Sequence, residues 1–381
     1  QEGTQATGII AGVLQNPDIT WETQQMTDIG LDMRFLRSRL GLTFNYYLRE
    51  TKDWLLPAPI SSTWGFDAPN MNAGAVRNQG VELALTWNDQ IGDFTYGINL
   101  NGSYNKNEVT NIENGADEES GPAFINGPSD LLSQGTTFIY RLEEGQPMGY
   151  FYAYKTDGIL QNQAEADAYN AATGSTAQPG DVRFQDLFGP VDANGKKTGP
   201  DGKIDDNDRT NIGNSIAPTT LGFSLNLGYK GFDLGVTANG SFGYLIAKSY
   251  RRFSDSQFEN YTTDVFQRWT GEGTSNKWPR LTTGNRPNYM LISDLYFEKG
   301  DHVRIQNITL GYDFKRLIPR LPLGQARIYV SAQNLFTFTG YSGVDPENGY
   351  SGDDNIRWAS HIDLGMYPAA KTFLIGCDLT F

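Results

Sequence analysis

The densest run of oxygen ligands in the chain is Asp201-Gly-Lys-Ile-Asp-Asp-Asn-Asp208. Its order matches the back half of a calcium-binding loop: a carboxylate, a glycine for the sharp turn, a main-chain carbonyl at Lys203, an apolar Ile204, then further carboxylates at Asp205 and Asp208. Asp192 and Asn194 would supply the first two ligands, although Lys196-Lys-Thr-Gly-Pro200 is inserted where such loops have no insertion. Hard oxygen donors of this kind select calcium, with magnesium as the alternative. The same residues also read as a solvated acidic turn. A bound calcium would be structural, stiffening a long external loop, and does not by itself suggest catalysis.

Other reactive constellations do not form. His302 and His361 lie in different segments without a companion at metal spacing, so each reads as a hydrogen-bonding residue. Ser, His and Asp make no triad motif, the glycine-rich stretches lack a strand–loop–helix setting, and Glu118-Glu119 reads as a solvated pair. The chain therefore does not read as an enzyme. Cys377 is the single cysteine, which leaves no internal disulfide, and it reads as a small hydrophobe. A formal net charge of -14 argues against nucleic acid as a partner. Aromatic residues mark the long connections: Trp54, Trp64 and Phe66 in one, Tyr341, Tyr350, Trp358 and Tyr367 in another. Their faces suit stacking on sugar rings or packing on peptide side chains, while any one of them reads first as loop self-packing or a lid contact. The stretch Thr262 to Thr270 predicts a short helix whose Val265, Phe266 and Trp269 share one face and pack the loop down.

The elements that would carry these residues are strands. In Lys371 to Phe381, Phe373, Ile375, Cys377, Leu379 and Phe381 alternate with Thr372, Gly376, Asp378 and Thr380, with Leu374 as the exception. Apolar-out, polar-in alternation over roughly 9–11 residues is what a tilted strand needs to cross a bilayer around a watery lumen. The pattern recurs at Leu40–Leu48, Val81–Trp87, Phe94–Tyr104, Leu221–Tyr229 and Phe232–Phe242. A hydrophobic fraction of 38% and no apolar run long enough for a transmembrane helix agree with a membrane signal hidden in alternation. Short links at 36–38, 89–93, 144–148, 230–231 and 315–325 alternate with long ones near 56–74, 111–135, 161–217, 248–301 and 341–370. The expected fold is all-β, a transmembrane antiparallel barrel of about eleven strands. An odd count leaves the barrel open, because single-chain bacterial barrels close with an even number. A soluble all-β carbohydrate-binding protein and a non-transport surface barrel, acting as adhesin or anchor, are the alternatives.

Ordered motifs add a resemblance. Asn16-Pro-Asp-Ile-Thr-Trp-Glu22, the stretch 30–56 with NYYLRETKDWLL, Asn78-Gln-Gly-Val-Glu-Leu83, Gly145-Gln-Pro-Met-Gly-Tyr-Phe-Tyr152, the acidic loop, Tyr229-Lys-Gly-Phe-Asp233, Val303 to Tyr312, Ser331-Ala-Gln-Asn-Leu-Phe336 and Tyr367-Pro to Phe381 follow one another as in the SusC/RagA family of TonB-linked outer-membrane transporters of Bacteroidetes, which the chain resembles over nearly its whole length. The resemblance implies a bacterial outer-membrane location and a barrel of ~22 strands, of which residues 1–381 supply the later, carboxyl-terminal half without signal peptide, TonB box or plug. It also implies a SusD-like surface lipoprotein as lid, TonB acting through parts outside this chain, lipid around the barrel, and an oligomeric nutrient as substrate, glycan first and peptide second. Under that reading the loop aromatics touch substrate or lid, and the terminal Phe381 resembles the signal read by the outer-membrane insertion machinery.

Overall fold

A computed structural model describes residues 16–57, 69–112, 124–127, 138–192, 196–249, 261–282, 287–347, 349 and 360–381. Nine long strands bond in sequence order into one antiparallel sheet: β1 (Thr23–Phe35), β2 (Leu40–Pro57), β3 (Asn70–Ile91), β4 (Phe94–Ile112), β5 (Thr219–Tyr229), β6 (Phe232–Phe242), β7 (His302–Asp313), β8 (Gln325–Thr339) and β9 (Thr372–Thr380). The sequence count of about eleven included segments such as Tyr140–Glu143 and Tyr150–Ala153, which pair in a separate small sheet. Period-two patterning marks a strand without saying which sheet it joins. The link at 144–148 accordingly belongs to that loop sheet, and its turn packs on β4, where the Val109 amide donates to the Gln146 carbonyl.

The register explains why the sheet has two chemically opposite faces. Followed strand to strand, one cross-sheet row reads Phe35, Leu40, Trp87, Ile98, Leu225, Val236, Ile308, Ala332, Phe373. The adjacent row reads Arg34, Gly41, Thr86, Asn99, Ser224, Thr237, Asn307, Gln333, Thr372. Because side chains alternate across a pleated sheet, the first row forms a continuous apolar belt on one side and the second lines the other. Large apolar residues of the belt face, among them Phe44, Leu83, Leu100, Leu221, Leu310, Val330 and Ile375, are exposed. A row without a polar interruption, directed at solvent, has its natural partner in hydrocarbon. The polar face satisfies itself by short side-chain links such as Thr309 Oγ1 to Ser331 Oγ (2.9 Å) and Ser331 Oγ to Asn307 Oδ1 (2.6 Å).

All short connections lie at one end of the wall and all long ones at the other. β5 and β6 join through Lys230-Gly231, both with positive φ (48° and 94°), the backbone that a two-residue hairpin requires. The long connections, between β2 and β3, β4 and β5, β6 and β7, and β8 and β9, alternate with the short ones without exception. Strands β1 and β9 stand at opposite edges of the sheet and do not pair with each other. Among the described residues no helix is long and apolar enough to cross a membrane.

Candidate functional site

The long connections build a second, smaller hydrophobic core above one end of the wall. Leu56 at the end of β2 and Val109 and Ile112 at the end of β4 pack with Tyr140, Leu142 and Phe151 from the β4–β5 connection, Ile292, Tyr296 and Phe297 from β6–β7, and Ile362 from β8–β9. Three connections distant in sequence thus share one core. A four-stranded sheet (Thr210–Gly213, Tyr150–Ala153, Tyr140–Glu143, Phe124–Asn126) and a three-stranded one (Phe297–Lys299, Leu245–Lys248, Ile362–Asp363) frame it. The Tyr140 hydroxyl donates to the Ser360 carbonyl, and the Tyr154 amide to the Ile292 carbonyl at 3.0 Å. The helix Gln163–Thr173, capped by Asn162 on the Glu165 amide, sits outside this core.

A charged cluster fastens the β8–β9 connection to the wall. Arg304, on the polar face of β7, is 3% exposed. Its guanidinium donates to Asp345, to Glu347 at 2.7 Å and to Thr337 Oγ1 at 3.1 Å. Glu347 also accepts from Asn239 Nδ2 (3.0 Å) and meets His302 Nε2 at 3.1 Å. Asp345 accepts the Ala369 amide at 3.0 Å, and the Tyr244 hydroxyl donates to the Pro346 carbonyl at 2.9 Å. The His302 hydrogen bond, followed by those from Asn239 and the charge of Arg304, holds the Glu347 carboxyl down to about 2. Burial raises the Tyr244 phenol and lowers the His361 imidazole, so both stay neutral near pH 7. Removing one partner of such a cluster leaves a buried charge uncompensated, so it locks geometry whatever its net energy. His302 is thus a hydrogen-bonding residue, as its isolation in the sequence indicated.

Main-chain amides meet the carboxylates of the acidic loop. Asp208 is fully buried, and its carboxylate accepts the amides of Leu187 (2.7 Å), Phe188 (3.1 Å) and Asp205 (2.9 Å). Asp205 accepts the Asn207 amide at 2.8 Å, Asp201 the Lys203 amide at 3.0 Å, and Asp192 the Lys196 amide at 3.0 Å. The ammonium of Lys197, inside the inserted segment, donates to the carbonyls of Asn207 (2.6 Å) and Arg209 (3.0 Å), and burial lowers its pKa. Two main-chain carbonyls at the end of the loop thus face a lysine ammonium. Among the described residues no three His, Cys, Asp or Glu side chains converge as metal ligands. Asn194 lies outside the described residues. Asp205 and Asp208 form a capping box, which Asp-rich spacing suits as well as it suits an ion shell.

The expected contact aromatics divide. Trp54 is half-buried against the mouth core, and Tyr341 is buried with its hydroxyl on Asp363 Oδ2 at 2.6 Å, so both hold the scaffold. Trp64, Phe66, Tyr350 and Trp358 lie outside the described residues. Tyr367 is 87% exposed. The stretch at 262–270 contains a 3-10 turn, Thr263–Gln267, but Phe266 points away and is 82% exposed, while Trp269 alone packs inward beside Val182 and Phe184. A five-residue 3-10 turn offers no single face wide enough for all three side chains.

Comparison with known proteins agrees with this geometry. Residues 2–188 match the family described as TonB dependent receptor-like, beta-barrel. The chain belongs to the TonB-dependent receptor β-barrel family. It is 32% identical over 99% of its length to TonB-dependent receptor P3 of Formosa agariphila and 27% identical over 96% to TonB-dependent receptor SusC of Bacteroides thetaiotaomicron. It spans 36% and 32% of those receptors. Among solved structures, the RagAB peptide transporter superimposes with a TM-score of 0.73 at 25% identity, over 97% of this chain and 36% of that one. The two-faced wall is therefore part of an outer-membrane receptor barrel of the SusC/RagA kind, with the apolar belt in the bilayer and the long connections at its outer mouth. The Arg304 cluster was not singled out from the sequence. The one available signal was an arginine on the polar phase of a strand, a position that also suits a solvated lumen residue.

Proposed function

We propose that this chain forms wall and mouth in an outer-membrane importer of oligomeric nutrients, and that it is not itself catalytic. The observation that carries the proposal is the mouth: three long connections share one core, and one of them, β8–β9, is bolted to the polar side of the wall through Arg304, Asp345 and Glu347. A surface anchor or adhesin needs a barrel and exposed loops but has no use for an ordered mouth over a polar lumen. On this reading the nine strands form part of the later half of a ~22-stranded barrel, and other segments of the receptor cover the edges of β1 and β9. A SusD-like lipoprotein would close the mouth, and TonB would act through parts of the receptor beyond these strands. Glycan stood ahead of peptide on sequence grounds; the likeness to a structure described as a peptide transporter favours peptide.

Deletion of the receptor, with uptake of labelled peptides and oligosaccharides measured in whole cells, tests the proposal. Uptake of one class should fall, and a surface lipoprotein should co-purify with the tagged receptor. Unchanged uptake of every oligomer, with loss of surface adhesion instead, would sink it.

A further inference from the structure

Strand β4 runs beyond its neighbour β5, and the wall ladder breaks there. The Asn105 amide donates to the Pro218 carbonyl at 2.8 Å. Four residues on, Val109 bonds instead to the turn before Tyr150, its amide donating to the Gln146 carbonyl at 2.9 Å while its carbonyl accepts the Gly145 amide at 2.8 Å. Main-chain groups of alternate residues in a strand point to the same side. Asn107, midway between these bonds and in unbroken register with Asn78 of β3, thus aims its own N–H and C=O away from β3 and into the break. Among the described residues nothing bonds them there.

The break opens on a cavity of about 340 Å³ lined in part by Asn78, Asn105, Met148, Ile216 and Pro218. Its polar wall is fixed in advance: Asn78 Oδ1 accepts from Asn105 Nδ2 (3.1 Å) and Asn107 Nδ2 (2.9 Å), and Asn107 Oδ1 accepts the Met148 amide (2.7 Å). The volume lies near the small end of the range for ligand pockets. An unfilled rung of a β-ladder, with donor and acceptor on one residue, amide side chains beside it and apolar Met148, Ile216 and Pro218 opposite, is shaped for another main chain.

We propose that this break is a binding site for a short extended stretch of peptide, which pairs with the Asn107 N–H and C=O as an added strand pairs with a sheet edge. The inference rests on the import reading above and makes peptide the substrate class. Sugar hydroxyls would bond to either group, but they lack the alternating N–H and C=O that fill a rung.

Titration calorimetry on the complete receptor in detergent, with hexa-alanine, its N-methylated counterpart and maltohexaose as probes, tests it. Hexa-alanine should bind, and N-methylation should weaken it by about tenfold or more, the effect of losing one or two well-made hydrogen bonds. Asn107→Pro, which removes the N–H, should lose a similar factor, whereas Asn107→Ala, which keeps it, should lose much less. Ile216→Trp, which fills the cavity, should also abolish binding; heat-modifiable migration in gels verifies that each variant folds. Undiminished hexa-alanine binding by Asn107→Pro and Ile216→Trp would overturn the site and leave peptide import standing. An equal loss in Asn107→Ala would also overturn main-chain pairing. Binding of maltohexaose in place of the peptide would overturn the site together with the peptide class, while whole-cell uptake judges the importer separately. Binding of none of the three probes would overturn the site as well.

Discussion

The apolar belt makes a depth-dependent prediction. Leu225 lies in the unbroken apolar row, midway along β5 between Leu221 and Tyr229. At ~3.4 Å per residue and a tilt near 45°, it sits roughly 10 Å from either rim of the hydrocarbon band. Leu225→Arg therefore places a cation near the midplane and should cost about 2–4 kcal/mol, roughly 30- to 900-fold in the folding equilibrium. Tyr229→Arg, at the rim, should cost about 0–1 kcal/mol because its guanidinium reaches the headgroups. Ser224→Arg, one residue away but on the polar row beside Asn99 and Thr237, should cost little. Urea titrations of the receptor refolded into lipid vesicles, followed by tryptophan fluorescence, give the three values. A Ser224→Arg cost equal to that of Leu225→Arg would refute the assignment of faces, and a neutral Leu225→Arg would refute the membrane depth.

Three further outcomes are expected. Arg304→Ala strands the buried carboxylate of Asp345, while Glu347 keeps contact with solvent, and should destabilise the β8–β9 connection by about 3 kcal/mol, read as lost hydrogen-exchange protection around 341–347 with the wall unaffected. In acid that connection should loosen in two windows. His361, neutral through burial, opposes folding as pH falls below its ordinary 6.5, and Glu347, ionised down to about 2, loses its contribution as pH falls from 4.5 toward that value; exchange that is flat from pH 7 to 3 would contradict both. Asp208→Ala frees the amides of Leu187, Phe188 and Asp205 and should raise proteolysis between Gln161 and Ile216; a chelator that raises wild-type cleavage in the same stretch would support calcium in this loop, and one that leaves it unchanged would support the amide-capped turn.

The wall was legible in the sequence because each strand meets lipid and lumen by itself. Leu40 to Leu48 or Leu221 to Tyr229 must alternate whatever their neighbours do, and the lengths of the links between strands repeat on a scale that the chain displays directly. The sequence by itself thus determined strand phase, the polar lumen and the end at which the long loops gather. Only the tertiary structure decided what the loops become. The mouth core joins Tyr140 to Ser360 and Thr156 to Asp294, contacts between segments whose local patterns carry no trace of one another. For the same reason only the structure shows how Trp54 and Tyr341, open in the sequence between contact and loop self-packing, pack within the mouth. The fate of the acidic loop also lay in three dimensions, because closely spaced aspartates satisfy an ion or a set of amides equally well until the partners are placed. Here the fold brings the amides of Leu187 and Phe188 to Asp208 and the ammonium of Lys197 to the Asn207 carbonyl.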